Sequence, residues 1–137
     1  MARRLAREAA MSLLYQRIFS ERYDIDELKG MVDNELELDE RDISYIEDII
    51  EGCSRNMEKI DNIIRRNSKG WKFERISKVD LSILRLALYE ILYRDDIPES
   101  VSINEAVELA KKYGGEKTGS FINGILGSFI RSGKVSP

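Results

Sequence analysis

Residues 77–93, SKVDLSILRLALYEILY, constrain the fold more than any other stretch of the chain. Their apolar side chains cover most of the circumference of a helix: Val79, Ile83, Leu84, Leu86, Ala87, Leu88, Ile91 and Leu92. A helix that is apolar on nearly all sides has to be surrounded by other elements. The sequence therefore predicts a bundle around a central helix, which begins after Ser77 because a serine hydroxyl can cap its first turn.

Two charged residues, Arg85 and Glu90, interrupt the apolar surface of this central helix. A buried charge is tolerated only when a partner of opposite charge or a set of hydrogen bonds accompanies it. We therefore expect both residues to form structural ion pairs and not to act in catalysis.

Helical periodicity predicts the other elements as well, and no strand pattern or internal repeat is evident. We expect helices over residues 3–20, 24–36, 39–67 and 118–130. The third is expected to be one helix or two; a break is expected between Gly52 and Asn56, because glycine weakens a helix interior and Ser54 can cap a new start.

The core is expected to include one face of the first helix, the cysteine and two aromatic residues. That face consists of Ala6, Ala10, Leu13 and Leu14. Cys53 lies on an apolar stripe and is interpreted as a small core residue, not as a reactive thiol. Trp71 and Phe73, in the polar connection over residues 67–76, are expected to seal the junction between two halves of the core.

Residues 97–115 carry clear signals for the beginning and end of a helix. Pro98 ends the preceding helix, because proline disfavours the α conformation of the residue before it. Ser102 and Glu105 have the spacing of a capping box, which predicts that a new helix begins at Ser102. That helix is expected to end at Gly114 and Gly115, where glycine can adopt a left-handed cap.

The composition excludes several classes of function. The chain has no histidine and one cysteine, so Ser-His-Asp chemistry and the usual zinc sites are excluded. No apolar run approaches the roughly 20 residues of a membrane-spanning helix. Glu8, Gln16 and Arg17 interrupt the N-terminal segment before a secretory signal can form. We expect a cytoplasmic protein without a metal or cofactor.

The formal net charge of −3 conceals a strong segregation of charge along the chain. Residues 1–22 carry five arginines and two acids, whereas residues 23–51 carry twelve acids and two bases. This pattern is compatible with a basic face that attracts a polyanion and an acidic face that repels it. The alternative is that the acidic residues form the solvated faces of amphipathic helices.

Three arginines at the start of the first helix, Arg3, Arg4 and Arg7, fall within an arc of about 100°. Their positive charges lie at the positive end of the helix dipole, where an incoming phosphate would be stabilised by the arginines and by free backbone N–H groups. The arc is therefore a candidate phosphate-binding surface. The alternative is a solubilising N-terminus without a ligand.

Four segments resemble the NusB family of bacterial transcription antitermination factors: RRLAREAAMSLLYQ, VDLSILRLALYEILY, IPESVSINEAVELAKKYG and SFINGIL. The last two are highly specific, and the resemblance covers almost the whole chain. It implies an all-α fold of about seven helices, arranged as two three-helix halves plus an additional helix. Residues 1–137 would form a single RNA-binding domain.

The family resemblance implies a non-enzymatic function. NusB-like proteins bind boxA, a short single-stranded RNA element of ribosomal RNA transcripts, together with NusE, a protein of the small ribosomal subunit. The pair joins other Nus factors on RNA polymerase and suppresses premature termination.

The same resemblance implies roles for individual residues. RNA is expected to contact Arg3, Arg4, Arg7, Tyr15, Lys117, Phe121 and Asn123. A loop from Gly115 to Ser120 is expected to border this site, close to the arginines, and Asp80 is expected to face NusE. Lys117 departs from the family, in which many relatives carry an acidic residue at that position; the change predicts tighter RNA binding without sequence preference, or contact with a different base.

Structural alternatives exist for four of these residues. Tyr15 and Phe121 can be interior aromatics. Asp80 follows Ser77 by three residues and can be its partner in a capping box, and Asn123 can bond to the backbone.

Two other functions are compatible with the chain: an accessory module for ribosomal RNA methylation, and a helical scaffold that binds only proteins. A homodimer could cover the arginine surface.

Overall fold

The computed structural model describes residues 4–19 and 38–134. These residues contain no strand, which agrees with the predicted all-α class, and they form six helices and one 3-10 turn. The helices are α1 (Arg4–Phe19), α2 (Glu40–Arg55), α3 (Met57–Asn67), α4 (Lys78–Tyr93), α5 (Glu99–Gly114) and α6 (Glu116–Arg131), and the turn is Phe73–Arg75. The predicted helix over residues 24–36 lies outside the described residues.

Helix α4 is the centre of the bundle, as predicted, and packs against all five other described helices. Ser77 begins it: the Ser77 Oγ accepts a hydrogen bond from the Asp80 backbone N–H at 3.1 Å. Around α4, α1 and α2 pack against each other, and so do α5 and α6. None of the described helices combines the length and the apolar character required to cross a bilayer.

The break between α2 and α3 lies at Asn56, within the predicted interval. The Asn56 side chain donates to the Gly52 carbonyl at 2.8 Å, and Ser54 does not cap the second helix as expected. Cys53 is fully buried, as predicted, and its thiol contacts the Arg85 carbonyl oxygen at 3.6 Å. Burial raises the pKa of this thiol to about 12, which keeps it protonated.

The prediction that Trp71 seals the core is wrong, because 57% of its surface is exposed. The connection between α3 and α4 runs over the surface, and Ile76, not Trp71, enters the core. Phe73 is half-buried and lies beneath the guanidinium group of Arg65, 4.3 Å from the ring centroid.

The predicted capping box at Ser102 is also wrong. Helix α5 begins at Glu99, directly after Pro98, so Ser102 already lies inside the first turn. The buried Ser102 hydroxyl donates to Glu90 Oε1 at 2.7 Å, and the Glu105 side chain pairs with Arg4. A tertiary partner for each side chain has replaced the local capping interaction.

Helices α5 and α6 are separated by one residue, Gly115. Its φ of 88° lies in the left-handed region that favours glycine, and its N–H donates to the Lys111 carbonyl oxygen at 3.0 Å. The glycine cap is therefore confirmed. The expected loop from Gly115 to Ser120 is not formed, because α6 begins at Glu116.

Candidate nucleic-acid interface

Glu90 is the acceptor of a buried hydrogen-bond network that joins four helices. Arg7 donates to it from Nε at 2.9 Å and from Nη2 at 3.3 Å, and the hydroxyls of Tyr45 and Ser102 also bond to it. Burial and the nearby carboxylate raise the pKa of Tyr45 above its ordinary value. The predicted pairing of Glu90 is confirmed. Arg85 is likewise paired, in a two-pronged contact with Asp61 at 2.9 Å for each bond.

The predicted exposed arc of arginines is wrong for Arg7. Its side chain is only 4% exposed and Glu90 is fully buried, so the Arg7 charge is neutralised inside the protein. Burial lowers the pKa of Arg7, but Glu90 outweighs this effect and raises it. Arg7 therefore holds α1 against α4, and its guanidinium group bonds to Glu90.

Arg4 is the exposed arginine of α1, with 73% of its side chain accessible. Its Nε donates to Glu105 Oε1 at 3.0 Å and its Nη2 donates to Glu105 Oε2 at 3.2 Å. A phosphate would have to compete with Glu105 for this guanidinium group. Arg3 lies outside the described residues.

A groove of about 210 Å³ lies between α1 and α5 beside Arg4. Its lining is Arg4, Arg7, Glu8, Glu105, Glu108, Leu109 and Lys112. Glu8 accepts a hydrogen bond from Lys112 at 2.8 Å and another from the Tyr113 hydroxyl. Partial burial raises the pKa of Glu8, but these two bonds outweigh it and lower the pKa. The groove has mixed charge and is not uniformly basic.

Tyr15 lies farther along α1, half-buried and edge-on to Phe19 with the ring centroids 5.2 Å apart. Eleven residues separate Tyr15 from Arg4, which corresponds to about 16 Å along the helix and nearly the same angular direction. Tyr15 is therefore on the Arg4 side of α1, and it is not a fully interior residue.

A second groove, of about 310 Å³, lies beside Phe121, and we call it the Trp71 groove. Its lining is Asn67, Ser68, Lys69, Trp71, Ser120, Phe121, Gly124, Ile125, Ser128 and Arg131. Phe121 is half-buried and meets Trp71 edge-on, with the ring centroids 5.4 Å apart. The sequence predictions did not include Trp71, Lys69 or Arg131 at a binding site. Lys72, the basic residue that directly follows Trp71, was the signal in the sequence that could have indicated an exposed ring.

Lys117 and Asn123 are both exposed on α6. Helical spacing places Lys117 on the face of α6 that carries Phe121 and Gly124, whereas Asn123 points away from that face. The alternative role of Asn123, a bond to the backbone, is not realised in the described part of the chain.

The structure does not combine the predicted RNA-binding residues into one pocket. Helix α5 lies between the two grooves, and the grooves share no lining residue. Its Glu105 faces α1, whereas Val107 and Lys111, on another face, approach Gly119 of α6.

Asp80, the predicted contact for NusE, is half-buried in the first turn of α4 and lines neither groove. Its backbone N–H bonds to Ser77, and partial burial raises the pKa of its carboxyl group. Within residues 4–19 and 38–134, no cluster of acidic or cysteine side chains could hold a metal ion.

Comparison with known proteins identifies relatives over nearly the whole chain. Residues 4–131 match the NusB family model. The transcription antitermination protein NusB of Acetivibrio thermocellus is 54% identical over 134 residues, covering 96% of this chain and 90% of the relative. The NusB of Ruminiclostridium cellulolyticum is 51% identical over 126 residues, covering 92% and 86%.

Solved structures show the same similarity in three dimensions. T. maritima NusB is 36% identical, with a TM-score of 0.82 and coverage of 96% of this chain and 93% of that one. A chain from a complex of the antitermination factors NusB and NusE with double-stranded RNA is 25% identical, with a TM-score of 0.80 and coverage of 94% and 96%. The protein therefore belongs to the NusB family, whose matched members are transcription antitermination proteins and not enzymes.

Proposed function

We propose that this protein is a non-catalytic antitermination adaptor that binds the single-stranded boxA element of ribosomal RNA transcripts together with NusE. The observation that carries the proposal is the similarity of nearly the full chain to a protein solved in complex with NusE and RNA. Other Nus factors and RNA polymerase are indirect partners, which assigns the activity to the cytoplasm.

The RNA-binding surface in this proposal combines cationic and aromatic side chains. Arg4 on α1 and Lys117 on α6 are exposed and can bind phosphates, and Arg3 precedes Arg4 in the sequence. Tyr15 and Phe121 are partly exposed rings on which unstacked bases can pack. Charge and stacking together suit a single strand, whose bases are not paired.

Two further contacts complete the proposal. Asn123 is exposed on another face of α6 than Lys117, with its amide available to a base edge. Asp80 is the proposed contact for NusE. A homodimer that covers Arg4 would compete with RNA, so the mass of the free protein in solution should be measured beside its RNA affinity.

The test is a titration of fluorescently labelled boxA RNA with the protein, with and without NusE, at several salt concentrations. Replacement of Arg4 by Ala should weaken binding and reduce the salt dependence by roughly 0.7 log units per log unit of salt, the contribution of one neutralised phosphate on a single strand. Arg7 should stay intact in this test, because it belongs to the core. Arg41→Ala is the matched control, since Arg41 is exposed on the first turn of α2.

Unchanged affinity and salt dependence in Arg4→Ala would remove Arg4 from the RNA site. Failure of the unmodified protein to bind boxA, with or without NusE, would contradict the proposed function and favour a scaffold that binds only proteins.

A further inference from the structure

The Trp71 groove combines a large exposed ring with positive charge. Trp71 lies on the surface connection after α3. Its ring and the ring of Phe121 pack edge to face, with an interplanar angle of 62°. Such edge-to-face packing fixes the position of a ring and leaves much of its surface accessible. An exposed indole ring that is held in place by a contact on one side can stack with another planar group.

The charged residues that line the groove are both cations. Lys69 and Arg131 are exposed, and among residues 4–19 and 38–134 no acidic side chain contributes to the lining. This contrasts with the groove beside Arg4, where three glutamates accompany the cations. The Trp71 groove is therefore complementary to a polyanion.

Small side chains let a ligand approach α6 closely. Ser120, Gly124 and Ser128 line the groove on successive turns, and a Cβ atom added to Gly124 would meet nothing within 4 Å. Lys117 and Arg131 lie on this same face, fourteen residues apart, which corresponds to about 21 Å along the axis. That span accommodates several nucleotides of one strand.

We propose that the Trp71 groove binds single-stranded RNA that flanks boxA, with one base stacked on Trp71 and neighbouring phosphates bound by Lys69 and Arg131. The inference rests on the proposed function and extends its surface from Phe121 towards α3. A protein partner fits the lining less well, because lysine and serine are depleted in protein interfaces and the groove contains Lys69 and three serines.

The chain has a single tryptophan, so fluorescence excited at wavelengths that tyrosine does not absorb reports on Trp71 alone in the free protein. The probe is a labelled single-stranded RNA with boxA and its natural flanking nucleotides, compared with a shorter strand that carries boxA only. Anisotropy of the label reports total binding, and quenching of tryptophan fluorescence reports stacking. We expect quenching by the longer strand and little by the shorter one.

Substitutions separate this site from the rest of the RNA surface. Trp71→Ala should weaken binding of the longer strand roughly 5- to 100-fold, which is the usual effect of losing one base–aromatic stack. Trp71→Phe should retain part of this affinity. Lys69→Ala and Arg131→Ala should each reduce the salt slope by roughly 0.7. Gly124→Leu should narrow the groove, because a Cβ atom at this position meets nothing within 4 Å and the longer side chain extends from it.

Lys59→Ala is the matched control, because Lys59 is exposed on α3 but lines a different depression. Binding without quenching, with equal affinity for Trp71→Ala, would overturn this inference and leave the proposed function standing. Quenching caused by NusE alone would also overturn it and would identify a protein-binding face. Absence of any binding to either strand would contradict both proposals.

Discussion

Arg7 donates from Nε to Glu90 Oε2 at 2.9 Å, and this ion pair joins the first helix of the chain to the central one within the core. Replacing Arg7 by Met should cost about 3–5 kcal/mol of unfolding free energy, because the Glu90 carboxylate would remain buried without its cation. Urea denaturation measures this loss.

Arg4→Met provides the comparison, one turn earlier on the same helix and in an exposed ion pair. It should leave the urea midpoint almost unchanged. Equal effects of the two substitutions would mean that the pair with Glu90 does not stabilise the fold.

Two helix glycines should respond in opposite directions to alanine. A Cβ atom on Gly52 would overlap the ring of Tyr89, whose hydroxyl donates to Asp48 Oδ1 at 2.8 Å. Gly52→Ala should therefore destabilise the protein by about 1–3 kcal/mol, the usual cost of overpacking. Gly124→Ala, in open space, should stabilise it by about 0.5–1 kcal/mol. Thermal unfolding distinguishes the two, and a shift of the same sign for both would contradict the packing described between α2 and α4.

Two substitutions at the beginning of α4 distinguish an effect on stability from an effect on partner binding. Ser77→Ala removes the acceptor for the Asp80 N–H and should cost about 1 kcal/mol. Asp80→Asn keeps that bond, since the backbone of Asp80 donates it. If the proposed contact with NusE is correct, Asp80→Asn should weaken NusE binding in calorimetry while unfolding changes little. The reverse pattern, with lower stability and normal NusE affinity, would assign Asp80 to helix capping alone.

Neutralising Glu105 should strengthen RNA binding. Its carboxylate holds Arg4 through three hydrogen bonds and repels an approaching phosphate. Glu105→Gln removes the repulsion and weakens the competition for Arg4, so a lower dissociation constant for boxA RNA is expected at low salt, with the difference shrinking as salt screens charge. The same change in an Arg4→Ala background should have a smaller effect on the dissociation constant. An equal effect would mean that Glu105 does not influence RNA binding through Arg4.

Alkaline pH should destabilise the fold partly through Cys53. Its pKa is about 12 in the folded protein, whereas a thiol in an unfolded chain ionises near 8.5. The unfolded state therefore loses the proton first, and between these values rising pH favours unfolding by about 1.4 kcal/mol per pH unit for this group. Cys53→Val should show a shallower fall in stability above pH 9 than the unmodified protein, as measured by urea unfolding at several pH values. Identical pH profiles would mean that the thiol does not contribute.

The elements that sequence predicts well are those set by local periodicity. The apolar surface of α4 identifies it as the central helix because no other arrangement hides so many apolar side chains, and Ser77 caps it through a bond that spans three residues. The break at Asn56 follows from the same local rules. These features depend on interactions between residues close together in sequence, so they can be predicted without the rest of the chain.

Predictions failed where a distant partner decides the outcome. Ser102 and Glu105 have the spacing of a capping box, but Glu90 and Arg4 bind them instead. The local rule describes an isolated helix end, whereas the buried Glu90 requires hydrogen-bond donors, which α1, α2 and α5 supply.

Arg4 and Arg7 illustrate the same limit at the candidate site. Helical geometry sets them about 60° apart, so periodicity treats them as one cluster. Their different fates depend on Glu90, which is 83 residues from Arg7 in sequence. Trp71 was expected in the core, but Ile76 is the residue of this connection that enters it, and the local sequence does not distinguish the two.

The single residue between α5 and α6 controls where the aromatic and cationic side chains of α6 point. Since each residue turns an α-helix by about 100°, one residue inserted beside Gly115 would either rotate Phe121 away from Trp71 or force α6 to slide along α5. The length of this connection therefore sets the rotation of α6 relative to α5. Together with the identity of the side chains, it determines which face of α6 is exposed to solvent.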